Sequence, residues 1–175
     1  MAVKVGVIGL GMMGSTHLDA YSKLGGDAEV VAIADADPKR LSGEAQASGN
    51  FEGLAQGAFD INAVKKYSEG MELVNDPDVE LVDVCLPTHM HLMYGKTVLE
   101  AGKHLLMEKP LARTYADAKA LADAADAADS ISMCAMCMRF WPGWTWLKEA
   151  ADNKTYGKVL GATFRRVASH PGGAF

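Results

Sequence analysis

Cysteine is scarce in this sequence: Cys85, Cys134 and Cys137 are the three among 175 residues. The pair in Cys134-Ala-Met-Cys137 has the C-x-x-C spacing of zinc or redox sites. It falls in an apolar run, 131–138, expected to be a strand, where positions three apart face opposite sides and cannot share a metal. No second C-x-x-C or paired histidine completes four ligands, so no metal is expected and the thiols read as buried structural groups. Long apolar runs are missing too. Nothing approaches the roughly 18 uninterrupted apolar residues of a membrane span, and the chain opens on a strand rather than a basic, then apolar, signal. The expectation is a cytoplasmic protein. Positive charge is equally sparse: 17 Lys and Arg face 22 Asp and Glu, a net charge of −5, and no basic run exceeds Lys65-Lys66 or Arg165-Arg166. Neither nucleic acid nor membrane is expected as a partner.

What is present is an ordinary globular balance, 49% hydrophobic and 22% charged. It suits one domain of about 100–150 residues with a remainder too short for a second. The apolar run at 3–8 leads into Gly9-Leu10-Gly11-Met12-Met13-Gly14, the spacing of a strand, a tight turn and a helix. Gly9 permits the turn, Gly11 leaves no side chain between backbone and pyrophosphate, and Gly14 lets the helix lie close to the strand. The anion then meets free N–H groups at the positive end of the helix dipole. A second apolar run ends in Asp35, 21 residues past Gly14, against the roughly 20 expected of a ribose-binding acid. Asp35 can accept both ribose hydroxyls of NAD and repel a 2′-phosphate, whereas Lys39 and Arg40 can accommodate that phosphate. NAD is therefore expected ahead of NADP.

Strand and helix signals alternate along the rest of the chain. Helices are expected at 13–24, at 39–47 after Pro38, from a Ser68 cap to Val74, from a Thr88 cap to Ala101, and from Thr114 to about Asp129. Strands are expected at 28–35, 64–67, 81–86, 103–107 and 131–137, and the run Leu81-Val82-Asp83-Val84-Cys85-Leu86 is too apolar for a sheet with a wet face. The stretch 48–62 reads as a packed surface loop. This alternation specifies an α/β fold, a doubly wound parallel Rossmann sheet over residues 1–137. Its ligand lies at the carboxyl ends of the strands, which brings Gly9 to Gly14, Asp35, Leu86-Pro87-Thr88 and Glu108-Lys109-Pro110 around one crevice.

These segments resemble the glucose-fructose oxidoreductase and inositol dehydrogenase (Gfo/Idh/MocA) family. The residues that carry the resemblance are Val7 to Gly14 with His17, Asp35, Asp76-Pro77-Asp78-Val79, Leu86-Pro87-Thr88 with His91, Ala101 to Ala112 with its Glu108-Lys109-Pro110, Arg139 to Pro142, and Tyr156-Gly157-Lys158-Val159. The resemblance implies an oxidoreductase that moves a hydride between a nicotinamide and a carbon bearing a hydroxyl or carbonyl, most often on a sugar, inositol or related polyol. It places Lys109 at the reacting hydroxyl, Glu108 beside the cofactor and the lysine, and Thr88 beside the nicotinamide or its ribose. His17, His89, His91 and His104 read as structural or solvated. A homo-oligomer is implied for the full-length protein.

The family also carries a second, mostly antiparallel domain with a histidine as general base, and the stretch where that histidine belongs is not in these 175 residues. His170 lies on the wrong side of the expected position. Residues 138–175 read as a connecting helix at 141–153 and a first strand at 157–167, the start of an incomplete α+β domain. Met133, Met136, Met138, Trp141, Trp144 and Trp146 are expected to pack in a core. The chain is thus expected to be a fragment that binds dinucleotide and turns over poorly; the alternative is a stand-alone dinucleotide-binding sensor or assembly subunit.

Overall fold

A computed structural model describes residues 1–44, 59–165 and 167 of the chain. Among these residues, β1 (Val3–Ile8), β2 (Ala28–Ala34), β3 (Lys65–Tyr67), β4 (Leu81–Val84), β5 (His104–Glu108) and β6 (Ser132–Ala135) form one sheet in the order β3-β2-β1-β4-β5-β6. Every pairing in it is parallel. The chain winds outward from β1 to β3 and then returns to lay β4 on the other side of β1. The connections leaving β1 and β4 therefore diverge, and a crevice opens at their carboxyl ends. Register aligns that rim: Ile8 lies opposite both Ala34 and Val84, and Val84 opposite Met107. Gly9, Asp35, Cys85 and Glu108 consequently leave the sheet at one level.

Helices cover both faces: α1 (Met12–Ser22), α2 (Pro38–Ser42), α3 (Gly70–Val74), α4 (His91–Glu100) and α5 (Tyr115–Ala127). Val5, Val7, Val30 and Ile33 pack with Leu10 and Leu18 on one side. Ile8, Val82, Val84, Leu105 and Met107 pack with Leu73, Val98, Leu99 and Leu121 on the other. Side chains alternate along a strand, and that parity decides where two charges go. With Val82 and Val84 on the α4 side, Asp83 is turned to α1; with Leu105 and Met107 on the α4 side, Glu108 is turned to α1 as well.

Most local signals appear where the residues put them. Asp37 caps α2 by accepting from Lys39 N at 2.9 Å, and Thr114 caps α5 by accepting from Asp117 N at 3.1 Å. Three details differ. The second helix stops at Ser42, because Gly43 takes a left-handed φ of 80°; residues 45–58, including the end expected for that helix and most of the expected surface loop, lie outside the described residues. Thr88 caps nothing: it starts a single 3-10 turn, Thr88–Met90, closed by Met90 N on Pro87 O at 2.9 Å, and α4 begins only at His91. Glu69, not Ser68, stands at the start of α3 and makes no capping bond through its side chain.

The turn after α3 is held by a buried carboxylate. Asp76 accepts from Lys65 Nζ, Tyr67 Oη and Asp78 N, each at 3.0 Å, while Lys103 Nζ donates to the Asp76 carbonyl at 2.7 Å. Burial alone would raise its pKa, but the Asp78 N–H, the Lys65 ammonium and the Tyr67 hydroxyl outweigh burial and hold the carboxyl below its ordinary value. A depressed carboxylate adds stability above the unfolded pKa, about 3.9, and loses it as pH falls through the lower folded value. Asp76→Asn is expected to cost about 1–3 kcal/mol near neutrality. The melts of the two proteins should begin to converge as pH falls below about 4 and meet once it has passed the lower folded value; a gap that stays constant across that range contradicts the linkage.

The chain divides into two compact units that part between Ala135 and Met136. The second contains a 3-10 turn, Cys137–Phe140, and α6 (Pro142–Asp152). Aromatic pairs form within it, Trp144 with Phe164 at 5.7 Å and Trp146 with Tyr156 at 6.3 Å between ring centres. The strand expected at 157–167 is not formed: residues 158–165 and 167 have no regular structure. A strand is stable only against hydrogen-bonded neighbours, and among the described residues none pairs with it. Expected core packing fails too, since Met133, Met136, Trp141, Trp144 and Trp146 are all exposed. Cys137 is exposed as well: β6 ends at Ala135, and Cys137 opens the 3-10 turn of the second unit instead of continuing a strand. Cys85 and Cys134 are half-buried rather than buried.

Candidate functional site

The glycine turn fits closely around itself. Gly9 has φ 91°, its N–H donates to Ala34 O at 2.8 Å, and a Cβ placed there would lie 2.6 Å from Cys85 O. A Cβ on Gly14 would lie 1.8 Å from Gly9 O, so α1 rests directly on the turn. Gly11 is different: a Cβ there would meet only Arg40 Nη1, at 4.0 Å. Two glycines thus close the turn and one leaves room above it, a space that suits an anion approaching backbone N–H groups. Met12 and Met13 open α1 half-buried.

Asp35 is tied into the same turn. Its Oδ2 accepts from Leu10 N at 2.7 Å and from Arg40 Nη1 at 3.3 Å, and its Oδ1 accepts from Asp37 N at 2.8 Å. Carboxylate and guanidinium stand side by side at the end of β2, each suited to a different ribose substituent. Lys39 is exposed on the next turn.

Across the crevice, the Leu86-Pro87-Thr88 segment follows β4. His91 fastens it: Nε2 lies 2.8 Å from Leu86 O and Nδ1 lies 2.9 Å from Pro110 O. The buried ring of His91 therefore joins this segment to the loop after β5, where the Lys109–Pro110 peptide is cis. Lys109 is exposed, and its N–H donates to Glu108 Oε2 at 2.9 Å. His104, at the start of β5, accepts from Ile131 N at 3.0 Å and has a structural part.

Beneath the turn lies a cluster that sequence reasoning did not assemble. His17 of α1 faces Asp83 Oδ2 through Nδ1 at 2.8 Å and Glu108 Oε1 through Nε2 at 3.2 Å. Tyr21 Oη donates to the same Asp83 oxygen at 3.0 Å, and Cys85 Sγ lies 3.4 Å from His17 Nδ1. Burial would lower the His17 pKa, but hydrogen bonds with Asp83, Cys85 and Glu108 prevail and raise it to about 12. Glu108 responds in kind: burial pushes it up, while the His17 bond, the His17 charge, the Lys109 N–H and the Lys109 charge bring it below its ordinary value. Burial pushes the Cys85 thiol up to about 12 and, with Asp83, pushes the Tyr21 phenol upward. The ligand atoms of His17, Asp83 and Cys85 lie within 4.8 Å of one another, near enough to share an ion, but they already engage each other by hydrogen bonds. The signal for this cluster was Asp83, a lone acid in a strand otherwise apolar on both faces.

Comparison with known proteins follows the same outline. The profile described as "Oxidoreductase family, NAD-binding Rossmann fold" matches residues 3–136. Myo-inositol 2-dehydrogenase of Thermotoga maritima is 33% identical over 171 residues, 97% of this chain and 47% of that protein. Levoglucosan dehydrogenase of Pseudarthrobacter phenanthrenivorans is 32% identical over 158 residues, 90% of this chain and 39% of that protein. Among solved structures, an NAD binding oxidoreductase from Klebsiella pneumoniae superposes with a TM-score of 0.71 at 31% identity, covering 87% of this chain and 39% of its own. The chain spans less than half the length of each.

Proposed function

Since this chain belongs to the Gfo/Idh/MocA oxidoreductase family, with its NAD-binding Rossmann fold, we propose that it is the cofactor-binding half of an NAD-dependent dehydrogenase acting on a hydroxyl or carbonyl carbon of a sugar, inositol or related polyol. The observation that carries the reading is the open space over Gly11, between a turn closed by Gly9 and Gly14 and the acid Asp35. Gly9, Gly11, Met12, Met13 and Gly14 hold the pyrophosphate at the start of α1, and Asp35 takes the adenosine ribose. Leu86, Pro87 and Thr88 line the nicotinamide side, with Glu108 beneath. When bound, NAD supplies the hydride acceptor.

Lys109 presents its ammonium to the reacting oxygen, stabilises alkoxide character there and can carry its proton. Glu108 is held ionised by His17 and Lys109, which suits a counter-charge and not a general acid. Relatives of more than twice this length that act on inositol and levoglucosan support a substrate of that class. The same lengths support the view that these 175 residues turn over little by themselves.

NADH titration by fluorescence tests the cofactor assignment directly. Saturable binding, tighter than that of NADPH, is the expected result; no binding at about 1 mM, a free energy near −4 kcal/mol, would reject it. Asp35→Asn removes the charge that repels a 2′-phosphate and leaves Arg40 to receive it. The NADPH-to-NADH affinity ratio is expected to rise about tenfold or more, roughly 1.4 kcal/mol. An unchanged ratio would detach Asp35 from the ribose.

A further inference from the structure

We infer that His17 is a positioning residue: as a doubly protonated imidazolium it ties the glycine-turn helix to the loop that carries Lys109. Both ring nitrogens point at carboxylates, Nδ1 at Asp83 and Nε2 at Glu108. A neutral imidazole has one N–H and would turn a lone pair on one of those oxygens. The acids have other donors too: Tyr21 Oη shares Asp83 Oδ2 with the ring, Cys85 Sγ takes Asp83 Oδ1, and Lys109 N takes Glu108 Oε2. A ring that donates from both nitrogens satisfies both carboxylates and neutralises one of two adjacent buried negative charges.

The tie has a mechanical consequence. His17 holds Glu108 by Oε1, and Glu108 holds the Lys109 N–H by Oε2. The carboxylate folds back onto the very next peptide, so its orientation sets the direction in which Lys109 leaves β5. His17 lies in the same helix whose first turn packs on Gly9 through Gly14. A change at the anion-binding end of α1 therefore reaches the Lys109 backbone through one ion pair and one hydrogen bond. The charged and titratable groups that face the ring are Asp83 from β4, Cys85 just after it, Glu108 from β5 and, through Asp83, Tyr21 from α1 itself. The catalytic meaning of this tie rests on the dehydrogenase reading; the tie itself does not.

Long-range proton–nitrogen spectra of the histidine-labelled chain test it at about pH 9, well above the ordinary histidine pKa of about 6.5. Both His17 ring nitrogens are expected to carry protons there. A neutral His17 tautomer overturns the inference, and so does loss of that proton to stoichiometric Zn²⁺, which would make the cluster a metal site. His17→Gln is then compared by amide exchange. Lys109 N–H is expected to exchange at least about tenfold faster with Val7 and Val82 unchanged; unchanged Lys109 exchange overturns the positioning role. Should His17→Gln not fold, Glu108→Gln supplies the readout: the His17 titration should fall by about one pH unit or more, and no fall overturns the tie. Failure of the wild-type chain to bind NADH would defeat the dehydrogenase reading and leave the His17 result standing.

Discussion

Gly14→Ala is expected to lose dinucleotide binding and a large part of the stability of the first unit together. The added methyl would sit 1.8 Å from Gly9 O and 2.9 Å from Gly9 C, and backbone cannot swing aside as a side-chain tip can. Gly9 is itself pinned by its N–H on Ala34 O and by Cys85 O, against which it has no room for a Cβ. The helix must therefore lift from the sheet, which breaks the Leu18 packing and pulls His17 from its carboxylates. Overpacking of this kind costs about 1–3 kcal/mol or more, a melting temperature lower by on the order of 5–10 °C for a chain of this size. NADH affinity should fall by roughly 100-fold or more, since the free N–H groups no longer face the anion. Gly11→Ala is the control. Its methyl would meet nothing closer than Arg40 Nη1 at 4.0 Å, so the melt should not move, yet binding should weaken because a side chain now stands where the pyrophosphate approaches. Gly14→Ala with wild-type melting and NADH affinity would mean that the turn is not the one described.

The contrast between those two glycines shows what a sequence can and cannot reveal here. The spacing Gly9-x-Gly11-x-x-Gly14 and the position of Asp35 depend on local geometry, a turn and a strand length, and both survive folding unchanged. The strands themselves were legible for the same reason: the apolar runs at 3–8 and 81–86 mark strands covered on both faces without any tertiary information. The His17 cluster was not, because its members are 66 residues apart between His17 and Asp83 and are joined only when β4 and β5 line up beside α1. His91 read as structural, and it is, but its partners were not legible, since Leu86 O and Pro110 O belong to loops that approach each other only in the folded sheet. Thr88 failed as a cap because Pro87 ahead of it closes a tighter turn through its own carbonyl. The strand at 157–167 and the burial of Trp141, Trp144 and Trp146 failed for a different reason. Alternation and apolarity state what a segment needs, a neighbour or a cover, and the described residues offer neither.

On the proposed reading, Lys109→Met in the full-length protein is expected to reduce kcat by about 100- to 10,000-fold while NADH affinity changes by no more than about threefold. The side chain is exposed at the carboxyl end of β5, beyond the last sheet residue and before a cis proline, so nothing in the core depends on it. Its removal leaves the Lys109 N–H on Glu108 and the Glu108 ion pair with His17 in place, because the first uses a backbone N–H that methionine retains and the second involves no atom of residue 109. On that reading, what disappears is the ammonium charge beside the developing alkoxide and the proton it can carry, together about 2.7–5.4 kcal/mol for that range. Lys109→Arg separates charge from proton transfer. A guanidinium keeps the positive charge but does not give up its proton, so it should restore only the part of kcat that charge supplies. Were arginine to match lysine fully at every pH, Lys109 would act as a charge alone; were methionine to match it, the chemistry would belong to another residue and the loop geometry built by Glu108 and His17 would serve substrate binding instead.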